Sequence, residues 1–185
     1  MRILVAGIGN IFMGDDAFGC EVAAQLARRQ WPDGVRIQDF GIRGYDLAYA
    51  MMDGHDATIL IDAMPRGQPP GTLFLLQPDL AGLANLSAGP PDPHSMNPMT
   101  ALQMVRTLGG EARGLRVVGC EPALLDTEEI GLSDPVRAAV PHAIAMVETL
   151  IQELFQTREQ TPAIESTSAP RGTSRHAPAP SAAPR

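Results

Sequence analysis

Lysine is absent from this 185-residue sequence, and all 14 of its basic residues are arginine. This absence excludes Schiff-base chemistry and a nucleotide-binding loop of the Walker type, because both require a lysine amine. Positive charge is also scarce as a whole, since the formal net charge is −7. An acidic chain repels nucleic acid and anionic membrane surfaces, so we expect neither as a partner.

Cysteine is nearly as scarce as lysine. The two cysteines, Cys20 and Cys120, form neither a CxxC pair nor a disulfide framework. The first residues show no leader-peptide pattern, so we expect no export, and no apolar run approaches the length of a membrane span. We therefore expect a cytoplasmic protein in which both thiols are small core residues.

The chain opens with a strand, a glycine-rich turn and a helix. The apolar run Ile3–Ala6 leads into a turn that contains Gly7 and Gly9, and helical periodicity begins near Ala17. In an α/β protein such a turn lies at the carboxyl edge of the sheet, where ligands bind. This turn ends in the carboxylates Asp15 and Asp16. Either Asp15 or Asp16 is expected to cap the helix.

Strands and helices alternate along most of the chain. The predicted strands are 2–8, 35–40, 57–63, 72–77 and 115–119, and the predicted helices are 17–29, 45–52, 98–108 and 134–155. This order predicts a three-layer α/β/α sandwich around a five-stranded, twisted, mostly parallel sheet. The fourth strand follows the third without an intervening helix, which predicts a short antiparallel edge strand.

Two segments depart from this alternation. Residues 78–96 form a long loop rich in Pro, Gly and Ser, and such loops in a compact domain are usually functional or mobile. From residue 157 the chain has almost no large apolar side chain. We expect one α/β domain over 1–156 and a disordered tail over 157–185. Pro141 predicts a kink in the last helix or a later start.

Side chains that suit a metal ion lie at or near the ends of three of these elements. Asp15 and Asp16 follow the first strand, Asp62 lies in the third, and His94 precedes a helix. Two carboxylates and an imidazole suit a divalent transition metal with open positions for water or substrate. Each residue also has an ordinary interpretation, as a helix cap, a solvated strand end or a surface histidine. The remaining histidines are interpreted as structural or incidental: His55, His142 and His176.

The opening turn also suggests a dinucleotide site. Gly7 and Gly9 match the start of the G-x-G-x-x-G fingerprint, and Asp39 lies where a ribose-binding acid would. Phe12 takes the position of the third glycine, however, and the acidic pair would repel a pyrophosphate. A dinucleotide-binding oxidoreductase is therefore the weaker interpretation. A nucleophilic serine has less support still, because the chain lacks a Gly-x-Ser-x-Gly elbow.

The stretch 7–19 resembles the opening signature of the hydrogenase maturation proteases. These are endopeptidases that trim the C-terminus of the [NiFe]-hydrogenase large subunit. The resemblance extends over about residues 1–154 through several later stretches: 38–44, 59–63, 94–98, 118–122 and 131–133.

That resemblance implies a function and a site. It implies an endopeptidase that removes the C-terminal extension of a nickel-loaded large-subunit precursor, with Asp16, Asp62 and His94 contacting the nickel and Asp39 orienting the substrate or assisting the reaction. Nickel would arrive with the substrate, so the free protein should bind metal weakly, although Cd²⁺ or Zn²⁺ can occupy such a site in vitro. We expect a monomer.

Two other functions stay open beside this one. The first is a non-catalytic nickel-sensing chaperone of the same precursor, which would use the same ligands without cleaving a bond. The second is a peptidyl-tRNA hydrolase, which shares a Gly-x-Gly-Asn turn. That enzyme needs a histidine soon after the turn, where this chain has Cys20, and the negative charge opposes tRNA binding.

Overall fold

The computed structural model describes residues 1–78, 97–125 and 130–160, without the side chains of 159 and 160. The strands are β1 (Ile3–Ile8), β2 (Val35–Gly41), β3 (Ala57–Ala63), β4 (Leu73–Leu76) and β5 (Arg116–Cys120). The helices are α1 (Phe18–Leu26), α2 (Gly44–Met52), α3 (Pro98–Thr107) and α4 (Asp134–Gln160), and a 3₁₀ turn at Gly14–Ala17 precedes α1.

The five strands form one sheet in the order β2-β1-β3-β5-β4. β1 pairs in parallel with β2 and β3, β3 pairs in parallel with β5, and β4 runs antiparallel to β5 at the edge. This confirms the predicted mostly parallel sheet with a short antiparallel edge strand. The central strands β1 and β3 are buried along their whole length, which explains why they read as continuous apolar runs.

Two apolar cores, one on each face of the sheet, make the three layers. Alternate residues of β1 supply them: Ile3 and Val5 pack with α1 and α4, whereas Leu4 and Ala6 pack with α2 and α3. The period-2 alternation of a strand sends successive side chains to opposite faces. The predicted three-layer sandwich is therefore confirmed, and both faces of the sheet are covered by helices.

Glycines allow α1 to lie directly on the sheet. A Cβ on Gly19 would be 2.1 Å from the carbonyl oxygen of Ile61 and 2.3 Å from that of Ile8. A Cβ on Gly7 would be 2.1 Å from the carbonyl oxygen of Gly19. Gly7 therefore serves close helix–strand packing within β1, and the start of α1 is held at the ends of β1 and β3.

The helix boundaries differ from the prediction at several points. α1 ends at Leu26 instead of Arg29, and α4 runs without a break from Asp134 through Pro141 to Gln160. Because Pro141 lies in the second turn, only one hydrogen bond to the first turn is lost. α4 extends beyond the predicted domain boundary at residue 156. The remainder of the predicted tail, 161–185, and most of the long loop, 79–96, lie outside the described residues.

Contacts just beyond the C-terminal end of α3 set the direction of this helix. A Cβ on Gly110 would be 2.5 Å from the side chain of Met52, and one on Gly114 would be 3.0 Å from Ala57, the first residue of β3. α3 thus ends at the amino edge of the sheet, and its N-terminus is directed to the carboxyl edge. Asn97 caps that N-terminus by accepting from the Thr100 amide at 3.0 Å, with Pro98 as the first helical residue.

No helix in the part of the chain that the structure describes combines the length and apolar character needed to cross a lipid bilayer.

Candidate active site

Asp16 is held by the turn that follows β1. Gly9 has a φ of +129°, and a Cβ there would lie 1.8 Å from the carbonyl oxygen of Asp16. The amide of Asn10 donates to Asp16 Oδ2 at 2.6 Å, while Asn10 Oδ1 accepts from the amide of Phe12 at 3.0 Å. The turn therefore fixes the backbone and the carboxylate of Asp16 together, because glycine alone fits at residue 9.

Asp15 points away from Asp16 and does not cap α1. The residue that precedes α1 is Ala17, which makes no side-chain cap, because the 3₁₀ turn separates Asp15 from the helix. The Asp15 carboxylate is fully buried and accepts from four donors: the amides of Ala123, Leu124 and Ser133 at 2.8, 2.9 and 2.7 Å, and the Ser133 hydroxyl at 2.9 Å. The prediction that Asp15 or Asp16 caps the helix was wrong.

These bonds control the ionisation of Asp15. Burial alone raises the pKa of a carboxyl, but the bonds from the amides and the Ser133 hydroxyl outweigh it and lower the pKa of Asp15 below its ordinary value of 3.8. The group is therefore a buried anion that is fully bonded by the protein. It links the turn after β1 to the segment between β5 and α4.

Asp62 is also buried, but its environment is the opposite. It is the sixth residue of β3, its side chain is 2% exposed, and its Oδ1 atom has no hydrogen-bond partner among the described residues. Burial, followed by the negative charge of Asp16, raises the pKa of Asp62 well above the ordinary range, and a bond from the Ala63 amide opposes this only in part. A buried polar atom without a partner is rare in native proteins and makes Asp62 a candidate functional residue.

Asp39 completes a group of three carboxylates around Cys20. Asp39 is half-buried at the end of β2, and its Oδ1 accepts from the Gly41 amide at 2.9 Å. Burial, and then the charges of Asp39, Asp16 and Asp62, raise the pKa of the Cys20 thiol. The thiol therefore stays protonated and is no nucleophile. It lies 3.4 Å from the carbonyl oxygen of Gly9, beneath the turn.

The structure thus brings together three of the four predicted site residues. Asp16, Asp39 and Asp62 lie at the ends of three neighbouring parallel strands, close enough to act on one thiol. His94 lies outside the described residues. Within the described residues no three His, Cys, Asp or Glu side chains are grouped closely enough to hold a metal ion. The described residues alone therefore do not form a metal site.

A cleft of about 500 Å³ opens beside these carboxylates. Its polar lining contains two carboxylates, Asp39 and Glu21, together with Cys20, Gln25 and Arg137. The remaining lining is apolar or glycine: Ile11, Phe12, Ala17, Ala24, Ile130, Gly131, Leu132, Val140 and Pro141. A cleft of this size with largely apolar walls and a few charged groups is typical of a binding site.

Sequence reasoning assigned no role to Glu121. This side chain is 4% exposed and accepts from the amides of Arg66, at 3.0 and 2.8 Å, and Gly67, at 3.0 Å. It therefore orders the loop that follows β3. The available signal was an acid at the carboxyl end of a buried strand, as for Asp62. His55 matches its structural interpretation, since it is buried with Nδ1 at 2.9 Å from the Ala50 carbonyl.

Comparison with known proteins decides the family. A family model described as hydrogenase maturation protease matches residues 20–150, well over half of the chain. The chain belongs to the hydrogenase maturation proteases. The matched range includes Asp39 and Asp62, whereas Asp16 precedes it.

Individual members of this protease family show the same similarity. The hydrogenase 2 maturation protease of Escherichia coli is 32% identical over 155 residues, which cover 83% of this chain and 92% of that protein. The hydrogenase expression/formation protein HupM of Azotobacter chroococcum is 32% identical over 157 residues, 82% of this chain and 72% of that protein.

A solved structure extends the match to three dimensions. The hydrogenase maturating endopeptidase HybD of Escherichia coli aligns with a TM-score of 0.68 at 32% identity, covering 83% of this chain and 93% of that one. Both the sequence and the fold of this hydrogenase maturation protease therefore match an endopeptidase along most of the chain.

Proposed function

We propose that this protease removes the C-terminal extension of a [NiFe]-hydrogenase large-subunit precursor that already carries nickel, and that Asp16, Asp62 and His94 contact that nickel during cleavage. Nickel belongs to the substrate in this scheme. The observation that carries the proposal is the buried, unpartnered Oδ1 of Asp62, whose pKa is raised by burial and by Asp16.

The donor chemistry of the three residues fits nickel. A divalent cation would reverse the repulsion between Asp16 and Asp62 and give the unpartnered oxygen a ligand bond. Carboxylate oxygen and imidazole nitrogen are both ordinary donors for such an ion. When present, the ion would supply positive charge to polarise the scissile carbonyl or to activate water.

The orientation of α3 supports His94 as the third donor. Asn97 caps α3 at the end directed to the carboxyl edge, where Asp62 also lies. His94 precedes Asn97 by three residues, and three residues of chain reach at most about 11 Å. The sequence therefore allows the imidazole to approach the two carboxylates.

The remaining residues would bind and orient the substrate. The cleft beside Asp39 would take the peptide strand on one side of the scissile bond, with Asp39 orienting it. The Asn10 amide holds the carboxylate of Asp16 in place, and Gly9 leaves room for its backbone. The buried site at Asp62 keeps water away from one side, which strengthens the charge interactions there.

The surface around this edge suits a protein substrate. Seven of the nine large apolar side chains exposed among the described residues follow β1, β2 or β5 or begin α2 or α3: Ile11, Phe12, Ile42, Tyr45, Met99, Leu124 and Ile130. Apolar side chains gathered around a site are typical of surfaces that bind protein. The other two are Tyr49 and Leu75.

The test compares nickel-loaded and nickel-free precursor. We expect the protein to shorten only the loaded precursor, with the mass loss of the C-terminal extension measured by mass spectrometry. No cleavage of either form would contradict the proposal. If the protein then formed a stable complex with the loaded form alone, the chaperone alternative would replace it. Cleavage of both forms to the same extent would remove nickel from the scheme and retain the endopeptidase.

A further inference from the structure

We propose that Asp15 is a positioning residue of this protease, which holds the turn carrying Asp16 in register with the wall of the peptide cleft. The inference rests on the proposed function, in which Asp16 meets nickel and the cleft takes the substrate strand. Asp15 would touch neither. It would act through the geometry of the groups on either side of it.

The hydrogen bonds of Asp15 join two segments that are more than 100 residues apart in the chain. Its carboxylate accepts hydrogen bonds from the amides of Ala123 and Leu124, just after β5. It also accepts from the amide and the hydroxyl of Ser133, just before α4. Its own amide donates to the Leu124 carbonyl at 3.0 Å. Backbone and side chain of one residue therefore tie the turn to both ends of the β5–α4 connection.

A shift of Asp15 would change the position of Asp16 on one side and of the cleft wall on the other. On one side, consecutive Cα atoms are about 3.8 Å apart, so a shift of Asp15 moves Asp16 with it. Asp16 has little room to compensate, because its carbonyl packs against Gly9. On the other side, Ser133 follows Leu132, which together with Ile130 lines the cleft. One carboxylate thus sets the distance between Asp16 and the cleft wall.

A carboxylate is the group that this junction requires. Both oxygens accept, and all four partners are donors. An asparagine in the same place would turn an NH₂ group toward at least one amide and leave donors unpaired. Ser133→Ala is the milder change, because it removes only the hydroxyl donor and keeps the backbone bond.

The test separates positioning from stability. Asp15→Asn, Ser133→Ala and the wild type are compared with Leu115→Ala, a buried core residue just before β5 at the amino edge of the sheet. Unfolding by urea ranks the stability of each. Initial rates on nickel-loaded precursor, well below each melting temperature, then give kcat and KM.

We expect kcat to fall at least about 10-fold in Asp15→Asn and about 3-fold in Ser133→Ala, since small misplacements of reacting groups are costly. Leu115→Ala should lose stability and keep kcat within about 2-fold.

A second measurement does not depend on cleavage. Amide hydrogen exchange should accelerate in residues 10–16 and in 130–133 together in Asp15→Asn, and in neither segment in Leu115→Ala. Unchanged kcat in folded Asp15→Asn, or in Ser133→Ala if Asp15→Asn does not fold, would overturn the proposal. Exchange that accelerates in one segment only would overturn it as well. An inactive wild type with coupled exchange would instead count against the proposed function and leave the link between the segments intact.

Discussion

Asp15 and Asp62 are buried carboxylates associated with neighbouring parallel strands, and the protein treats them in opposite ways. Asp15 receives four hydrogen bonds and has a lowered pKa. Asp62 has an oxygen without a partner and a raised pKa. Both are more than nine-tenths buried, so burial alone does not distinguish them. The difference is whether the protein itself satisfies the charge.

This difference separates a carboxylate that positions other groups from one that the proposed function places against the substrate. A buried anion that is fully bonded stabilises the fold, and removing it leaves its donors unpaired. A buried anion that is only partly bonded destabilises the fold and persists where function needs it. The same sequence feature, an acid at the end of a strand, thus yields two roles that only three-dimensional contacts resolve.

The largest effect should come from Asp62→Asn. We expect the rate of precursor cleavage to fall at least about 10³-fold, because the substitution removes a carboxylate that the proposed function places against the substrate's nickel. Stability should be unchanged or higher, since a neutral amide is easier to bury than a carboxylate. Asp56→Asn, which alters an exposed carboxylate at the opposite edge, is the control. Near-normal cleavage by Asp62→Asn would break the distinction between the two aspartates.

Asp15 and Asp62 should contribute to the pH dependence of stability with opposite signs. The folded pKa of Asp15 is below 3.8, so its contribution is present above that pH and is lost as the pH falls through the folded value. The folded pKa of Asp62 is above 3.8, so stability linked to its proton is present below that pH and is lost as the pH rises through the folded value. Thermal unfolding from about pH 3 to pH 8 measures both.

Stability is measured against pH for the wild type, Asp15→Asn and Asp62→Asn. The stability advantage of wild type over Asp15→Asn should shrink as the solution becomes acidic below pH 3.8. The disadvantage of wild type relative to Asp62→Asn should grow as the pH rises above the same value. Parallel curves for wild type and Asp62→Asn would show that Asp62 titrates normally, and the case for a strained carboxylate would fail.

The sequence was sufficient for the fold because the fold depends on local patterns. Continuous apolar runs identified the buried strands β1 and β3, and the missing helix before β4 identified the antiparallel edge. The position of Asp62 beside the turn after β1 followed from topology, since parallel strands share a carboxyl edge.

The role of Asp15 could not be obtained in this way. Its partners, Ala123, Leu124 and Ser133, are set by the path of a distant connection, and no spacing in the sequence encodes that path. A local rule, that an acid before a helix caps it, gave the wrong answer because a 3₁₀ turn intervenes. The end of α4 was missed for a related reason, since polar residues after Phe155 continue the helix without contributing to the apolar stripe.

Glu121→Gln should have the smallest effect and tests whether the distinction is general. Glu121 is buried and accepts hydrogen bonds from the amides of Arg66 and Gly67, so its bonding resembles that of Asp15. It nevertheless lies nearer to Asp62, because β5, which it follows, pairs with β3. Glutamine keeps one acceptor oxygen and loses the charge, which should cost about 1 kcal/mol in urea unfolding. The kcat for precursor cleavage should stay within about 2-fold of wild type. A loss of activity comparable to that of Asp62→Asn, with stability retained, would mean that full hydrogen bonding by the protein does not mark the carboxylates that stay out of contact with the substrate.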